Sequence, residues 1–179
     1  MIELVAAGEG VGPDRLEALA GDLARIFRTP CRVLNGVLDV KFAHNALRGQ
    51  YHSTAILERL QSTCSTGKSR LLGVTAVDLF VPIFTFVFGE AQMGGKCALA
   101  SLYRLNEEHY GLPSDEDKLR ERLTKEAAHE LGHTFGLRHC EDWQCVMASS
   151  HSVELVDVKS AEFCGECARV VGASAPPPR

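Results

Sequence analysis

His129-Glu130-Leu131-Gly132-His133 is an H-E-x-x-H arrangement. At 3.6 residues per helical turn, a spacing of four leaves the two imidazoles about 40° apart on one face, so both can reach a single metal ion. A continued helix would turn residue 139 elsewhere. Gly136 suits the left-handed conformation just past a helix C-terminus, and a break there lets the chain return His139 as a third ligand. Three neutral imidazoles with a fourth position left to water describe catalytic rather than structural zinc. Zinc lowers the pKa of a coordinated water from about 15.7 to about 7. Glu130 then has a defined task as general base, taking the water proton during attack on a carbonyl and passing it to the leaving amine. H-E-x-x-H alone also arises by chance in Glu-rich helices; a helix-stopping Gly136 followed by His139 is what chance does not explain.

A second group follows at once: Cys140, Cys145, Cys164 and Cys167, the last two as Cys-Gly-Glu-Cys. Four thiolates saturate zinc and leave no place for water, so this centre is expected to be structural. The expectation is two zinc ions per chain, one catalytic and one structural. The alternatives are four buried thiols, or disulfides in an exported protein. Of the 7 cysteines, Cys31, Cys64 and Cys97 stand alone and read as inert buried thiols.

These side chains need a frame. Leu119, Leu123, Ala127, Leu131 and Phe135 recur every four residues, one apolar row on a helix that starts near Ser114 and stops at Gly136. Ser114 is the expected cap, and acidic residues 115–117 favour the first turn. Upstream, Ile2 to Ala6 reads as a strand, Pro13 to Phe27 as an amphipathic helix, Cys31 to Leu38 as a strand and Tyr51 to Gln61 as a helix. Thr63 to Ser69 reads as a loop. Leu71 to Leu79, Phe84 to Phe88 and Lys96 to Leu105 read as strands, the first of them central and buried. The pattern is an α+β fold with an α/β-like layer. Residues 1–138 form the sheet-and-helix part with the active-site helix, 139–171 a small zinc-bound C-terminal subdomain, and 172–179 a disordered Pro-rich tail.

A chain of 179 residues can bury one substantial core. Hydrophobic residues at 45% and charged residues at 23% fit a globular protein rather than a disordered one. The net charge of -4 argues against general nucleic-acid binding. The N-terminus lacks the basic and apolar pattern of a secretory signal. Val74 to Phe88, interrupted by Asp78 and Pro82, is shorter than the roughly 20 residues of a membrane span. A cytoplasmic monomer, with no membrane or nucleic-acid partner, is expected.

The full pattern His129-Glu130-x-x-His133-x-x-Gly136-x-x-His139, with Cys140, Cys145-Val146-Met147 and Cys164-x-x-Cys167, resembles the archaemetzincins among the metzincin zinc peptidases. Arg48-Gly49-Gln50-Tyr51, Leu72-Gly73-Val74-Thr75, Phe86-Val87-Phe88-Gly89 and Tyr110-Gly111 are similar to that family as well. The resemblance implies a metzincin-like twisted mixed sheet, with Met147 in a tight Met-turn beneath the zinc. It also implies a groove in which an extended peptide or protein substrate adds to an antiparallel edge strand, here Phe84 to Phe88. The residues after Met147 read Ala-Ser-Ser-His-Ser, which places His151 where the family pattern has none and offers no Tyr as a further ligand.

Two other functions share these residues. Zinc-dependent RNA-processing hydrolases carry H-x-x-x-H without the Glu and favour basic surfaces, so Glu130 and the acidic balance weigh against them. A peptide-binding module with an idle or catalytically weak histidine site remains open on sequence alone.

Overall fold

The computed structural model describes residues 1–63 and 69–172. Cys64, most of the expected loop at Thr63 to Ser69 and the tail beyond Gly172 lie outside the described residues. In chain order the elements are β1 (Ile2–Ala7), α1 (Pro13–Phe27), β2 (Cys31–Leu38), β3 (His44–Asn45), β4 (Gln50–His52) and α2 (Ser53–Thr63). They continue as β5 (Arg70–Thr75), β6 (Leu79–Phe80), β7 (Gly89–Ala91), β8 (Cys97–Ser101), α3 (Glu116–Thr134), α4 (Val153–Val158) and α5 (Gly165–Val171).

A five-stranded sheet runs in the order β2-β1-β5-β8-β7. Its first four strands are parallel and β7 is an antiparallel edge on β8. Alternation assigns the two faces. Ile2, Leu4, Ala6, Leu72, Val74, Ala98 and Ala100 face the core shared with α1 and α3, whereas Ala7, Leu71, Cys97 and Leu99 face α2. Both faces are covered, which is why β5 and β8 read as unbroken apolar runs. The larger core continues through Cys145, Val146, Met147, Val153, Val156, Phe163 and Val171, so the segment after residue 139 packs on the same interior. Each leucine fully buried there stabilises the fold by about 1.5–3 kcal/mol over exposure.

Several sequence expectations change. Phe84 to Phe88 is not a strand; only Val87 bridges, antiparallel, to Leu79. Pro82 opens a turn there, and the Phe84 and Thr85 carbonyls are taken by side chains, with Arg48 Nη2 donating to both and Gln50 Nε2 to Thr85. The antiparallel edge comes directly afterwards, at Gly89–Ala91. The run from Leu71 stops at Thr75 because Asp78 turns aside to pair with Arg104 at 2.7 Å, and Leu79–Phe80 joins a separate three-stranded sheet, β3-β4-β6. Lys96 to Leu105 contracts to Cys97–Ser101. The second helix starts at Ser53 because Gln50–His52 is strand β4.

Helix α3 is capped by Asp115 rather than Ser114, its carboxylate accepting from the Lys118 amide at 3.0 Å. Its end follows expectation. Gly136 stands at φ 89°, the Gly136 amide donates to the His133 carbonyl at 2.9 Å and the Leu137 amide to that of Gly132 at 3.3 Å. That pair of bonds is a Schellman termination. Arg122, buried on the same helix, binds Asp157 and the Leu105 carbonyl, tying α3 to α4.

Candidate functional site

Helix α3 brings His129 and His133 to one face, and the turn at Gly136 returns His139 to them. The three rings lie with centroids 4.7 to 5.2 Å apart, and one potential ligand atom from each falls within 4.8 Å of the others. The Nδ1 atoms of the first two are already engaged. His129 Nδ1 meets the Val146 carbonyl at 2.8 Å and His133 Nδ1 meets that of Leu137 at 2.7 Å. A carbonyl only accepts, so each Nδ1 carries the proton and donates. Burial first, then the charges of Lys159 and His133, holds the His129 pKa well below the usual imidazole range. Burial likewise lowers His133, with the hydrogen bond to Leu137 in opposition. Both rings are therefore neutral, and their Nε2 lone pairs face each other at 3.1 Å.

Two lone pairs at that distance repel unless a cation lies against both. The separation is close to the roughly 3.3 Å between ligands of a tetrahedral shell with bonds of about 2.0–2.1 Å. The donor set thus fits zinc, with tautomers already fixed by backbone partners as metal-bound histidines require. His139 is exposed. Among the described residues its imidazole makes no hydrogen bond.

Glu130 follows His129 on the helix and is buried. Burial first, then the carboxylates of Glu126 and Glu90, pushes its pKa well above the usual range, with Lys159 opposing. Edge strand β7 runs directly against it: a Cβ on Gly89 would stand 2.6 Å from Glu130 Cγ and 2.5 Å from the Leu99 carbonyl oxygen. Only glycine lets backbone and carboxylate approach this closely. Met147 is wholly buried beneath the helix, where a Cβ on Gly132 would lie 2.4 Å from its Sδ. The motif's Gly132 is thus a packing necessity.

Cys140, Cys145, Cys164 and Cys167 also converge, with ligand atoms within 4.8 Å of one another. Cys140 and Cys164 sulfurs stand 3.8 Å apart, far beyond the roughly 2.05 Å of a disulfide. The Cys164 amide donates to Cys145 Sγ at 3.3 Å. Burial pushes the Cys145 thiol up to about 11 and drives Cys167 higher still. For Cys164, hydrogen bonds to neighbouring groups outweigh burial and lower it. Four sulfurs gathered without disulfide geometry fit a thiolate-bound metal of closed shell. Cys97 is buried, as expected, but Cys31 is only half-buried, its thiol raised to about 11 by burial. His151 is exposed and belongs to neither ligand group.

Sequence reasoning missed the charges beneath the site. Lys159 and Glu126, both buried, form an ion pair of 2.7 Å, and Lys159 Nζ also donates to the Ala148 carbonyl at 3.4 Å beside Met147. Glu126 precedes Glu130 by one helical turn, a spacing visible in the sequence; nothing local marks Lys159 as its partner.

The model describing Peptidase family M54 matches residues 24–172. An archaemetzincin of Methanocaldococcus jannaschii is 46% identical over 137 residues, 76% of this chain and 74% of its own. One from Archaeoglobus fulgidus is 43% identical over 159 residues, 88% of this chain and 91% of its own. The crystal structure of the A. fulgidus archaemetzincin, complexed with malonate, superposes with a TM-score of 0.80 at 40% identity, covering 94% of this chain and 98% of that one. A zinc-dependent peptidase from Methanocorpusculum labreanum gives 0.87 at 27% identity, covering 96% and 100%.

Proposed function

The chain belongs to peptidase family M54, the archaemetzincins, and is by that membership a zinc metallopeptidase; from this premise we propose that it cleaves peptide bonds with Glu130 as its general base. The observation that carries this reading is the pair of facing Nε2 lone pairs, 3.1 Å apart, one residue from a buried carboxylate. His129, His133 and His139 would hold the catalytic zinc, and Cys140, Cys145, Cys164 and Cys167 a structural one. Bound at the histidines, zinc supplies Lewis-acid polarisation of a carbonyl and acidifies water.

The chain's own residues do the rest. Glu130 accepts a proton from the attacking water at its carboxylate and returns it to the departing amine nitrogen. Its raised pKa makes the carboxylate a stronger base toward the water proton. The Val146 and Leu137 carbonyls hold the imidazoles in one tautomer. Met147 packs from below in the manner of a metzincin Met-turn. An extended peptide adds to the free edge of β7 by backbone hydrogen bonds, which brings its scissile carbonyl past Gly89 toward Glu130. No helix among the described residues is long and apolar enough to cross a membrane. The net charge of -4 fits an enzyme acting on peptides rather than on nucleic acid.

Glu130→Ala tests the base. The variant is expected to keep two zinc ions per chain by elemental analysis while peptide cleavage falls by about 10²–10⁴-fold. Undiminished cleavage rules the role out, and an idle binding module would show no cleavage in the parent protein either.

A further inference from the structure

The three histidines are not held alike. His129 and His133 ride a regular helix, and each is fixed through Nδ1 to a backbone carbonyl. His139 lies beyond the helix end and is exposed, with no side-chain hydrogen bond among the described residues. A cleft of about 580 Å³ opens beside it, lined by Cys140, Cys164 and Cys167 among others, so packing does not confine the ring on that side. What holds its backbone is the neighbour that follows. Cys140 donates its amide to the Met147 carbonyl at 2.9 Å, and its sulfur belongs to the four-cysteine group. Consecutive residues therefore serve two centres. The short segment from Cys140 to Met147 also contains Cys145 and the Val146 carbonyl that orients His129.

We propose that the four-cysteine centre is the positioning device for His139: metal held at Cys140, Cys145, Cys164 and Cys167 fixes residue 139 within reach of the other two imidazoles. This rests on the reading of both groups as zinc sites. With Cys140 anchored, the backbone of its neighbour has little freedom, and the third imidazole is delivered without paying its ordering entropy at each binding event. With the cysteine centre empty, residues 139 to 145 keep the Cys140 amide bond but lose the sulfur anchor. His129 and His133 stay in place on α3. Such coupling is reciprocal, so metal at the histidines raises the affinity of the cysteine centre by the same factor.

Inserting two glycines between His139 and Cys140 separates the centres while keeping every ligand. In the full chain, zinc bound at the chelator-labile site is measured by competition titration, and the retained zinc by elemental analysis. Expected is a labile-site affinity about 10–100-fold weaker, the range for residues that orient ligands, with one zinc retained. Adding His139→Ala to the insertion should cost little more, whereas His139→Ala in the parent chain costs the full loss. An unchanged labile-site affinity overturns the proposal, as does a His139→Ala loss that is additive with the insertion. Cys164→Ala supplies a second background should the insertion fail to fold; there too the cost of His139→Ala must shrink. A parent chain with no chelator-labile zinc would defeat the zinc reading itself, before any variant is compared.

Discussion

The two ligand clusters are built by opposite means. The histidine cluster takes two of its three side chains from a 19-residue helix whose apolar row is buried in the main core, so its frame exists before any metal arrives. The cysteine cluster takes its sulfurs from a loop at 140–145 and from the start of α5, a helix of 7 residues. A short helix and a loop contribute little stability alone. One centre is thus a site placed on a frame, and the other is part of the frame. An open shell must keep its geometry while substrate and water exchange, whereas a closed shell can let metal binding and folding be one event.

The largest effect should come from breaking the second half of that contrast. Cys164→Ala is expected to lower the melting temperature by about 10 °C or more, because metal-binding energy at a structural site is folding energy. His139→Ala should shift it by no more than about 3 °C. Equal shifts in calorimetry would erase the distinction. Next in size is Gly132→Ala. Its new Cβ would meet Met147 Sδ at 2.4 Å with little room to retreat in a wholly buried site. Overpacking of this kind costs about 1–3 kcal/mol, read from denaturant unfolding, and unaltered stability would mean that Met147 does not press on the helix.

The smallest effect concerns the helical frame alone. Asp22 on α1 binds Arg120 of α3 at 2.9 Å and also pairs with Arg25. Burial raises its pKa, but the hydrogen bonds and charges of Arg120 and Arg25 outweigh burial and hold it below the usual aspartate range. A carboxyl depressed in the folded state stabilises above its unfolded pKa, and that contribution fades as pH falls through the folded value. Asp22→Asn should therefore flatten the loss of thermal stability between about pH 5 and pH 2, while leaving zinc content at pH 7 unchanged. An acid limb identical to the parent's would show that this pair does not brace the two helices.

Legibility in the sequence followed the range of the interactions. The bounds of α1 and β2 and the stop of α3 at Gly136 were readable because apolar spacing and left-handed glycine act within a few residues. The convergence of His129, His133 and His139 followed from helical geometry plus one turn. Phe84 to Phe88 misled because an alternating aromatic run satisfies strand propensity, yet Arg48 and Gln50, more than 30 residues away, claim its carbonyls.

By itself the sequence determined the ligand types, their spacing and the helix that carries the first two, since covalent order and 3.6-residue periodicity leave few other arrangements. Only the tertiary structure decided that Gly89 abuts Glu130, that Lys159 lies buried against Glu126, and that neighbours His139 and Cys140 face different centres. Those contacts join residues distant in the chain, or divide adjacent ones, and are set by how the sheet, α3 and the C-terminal segment pack into one core.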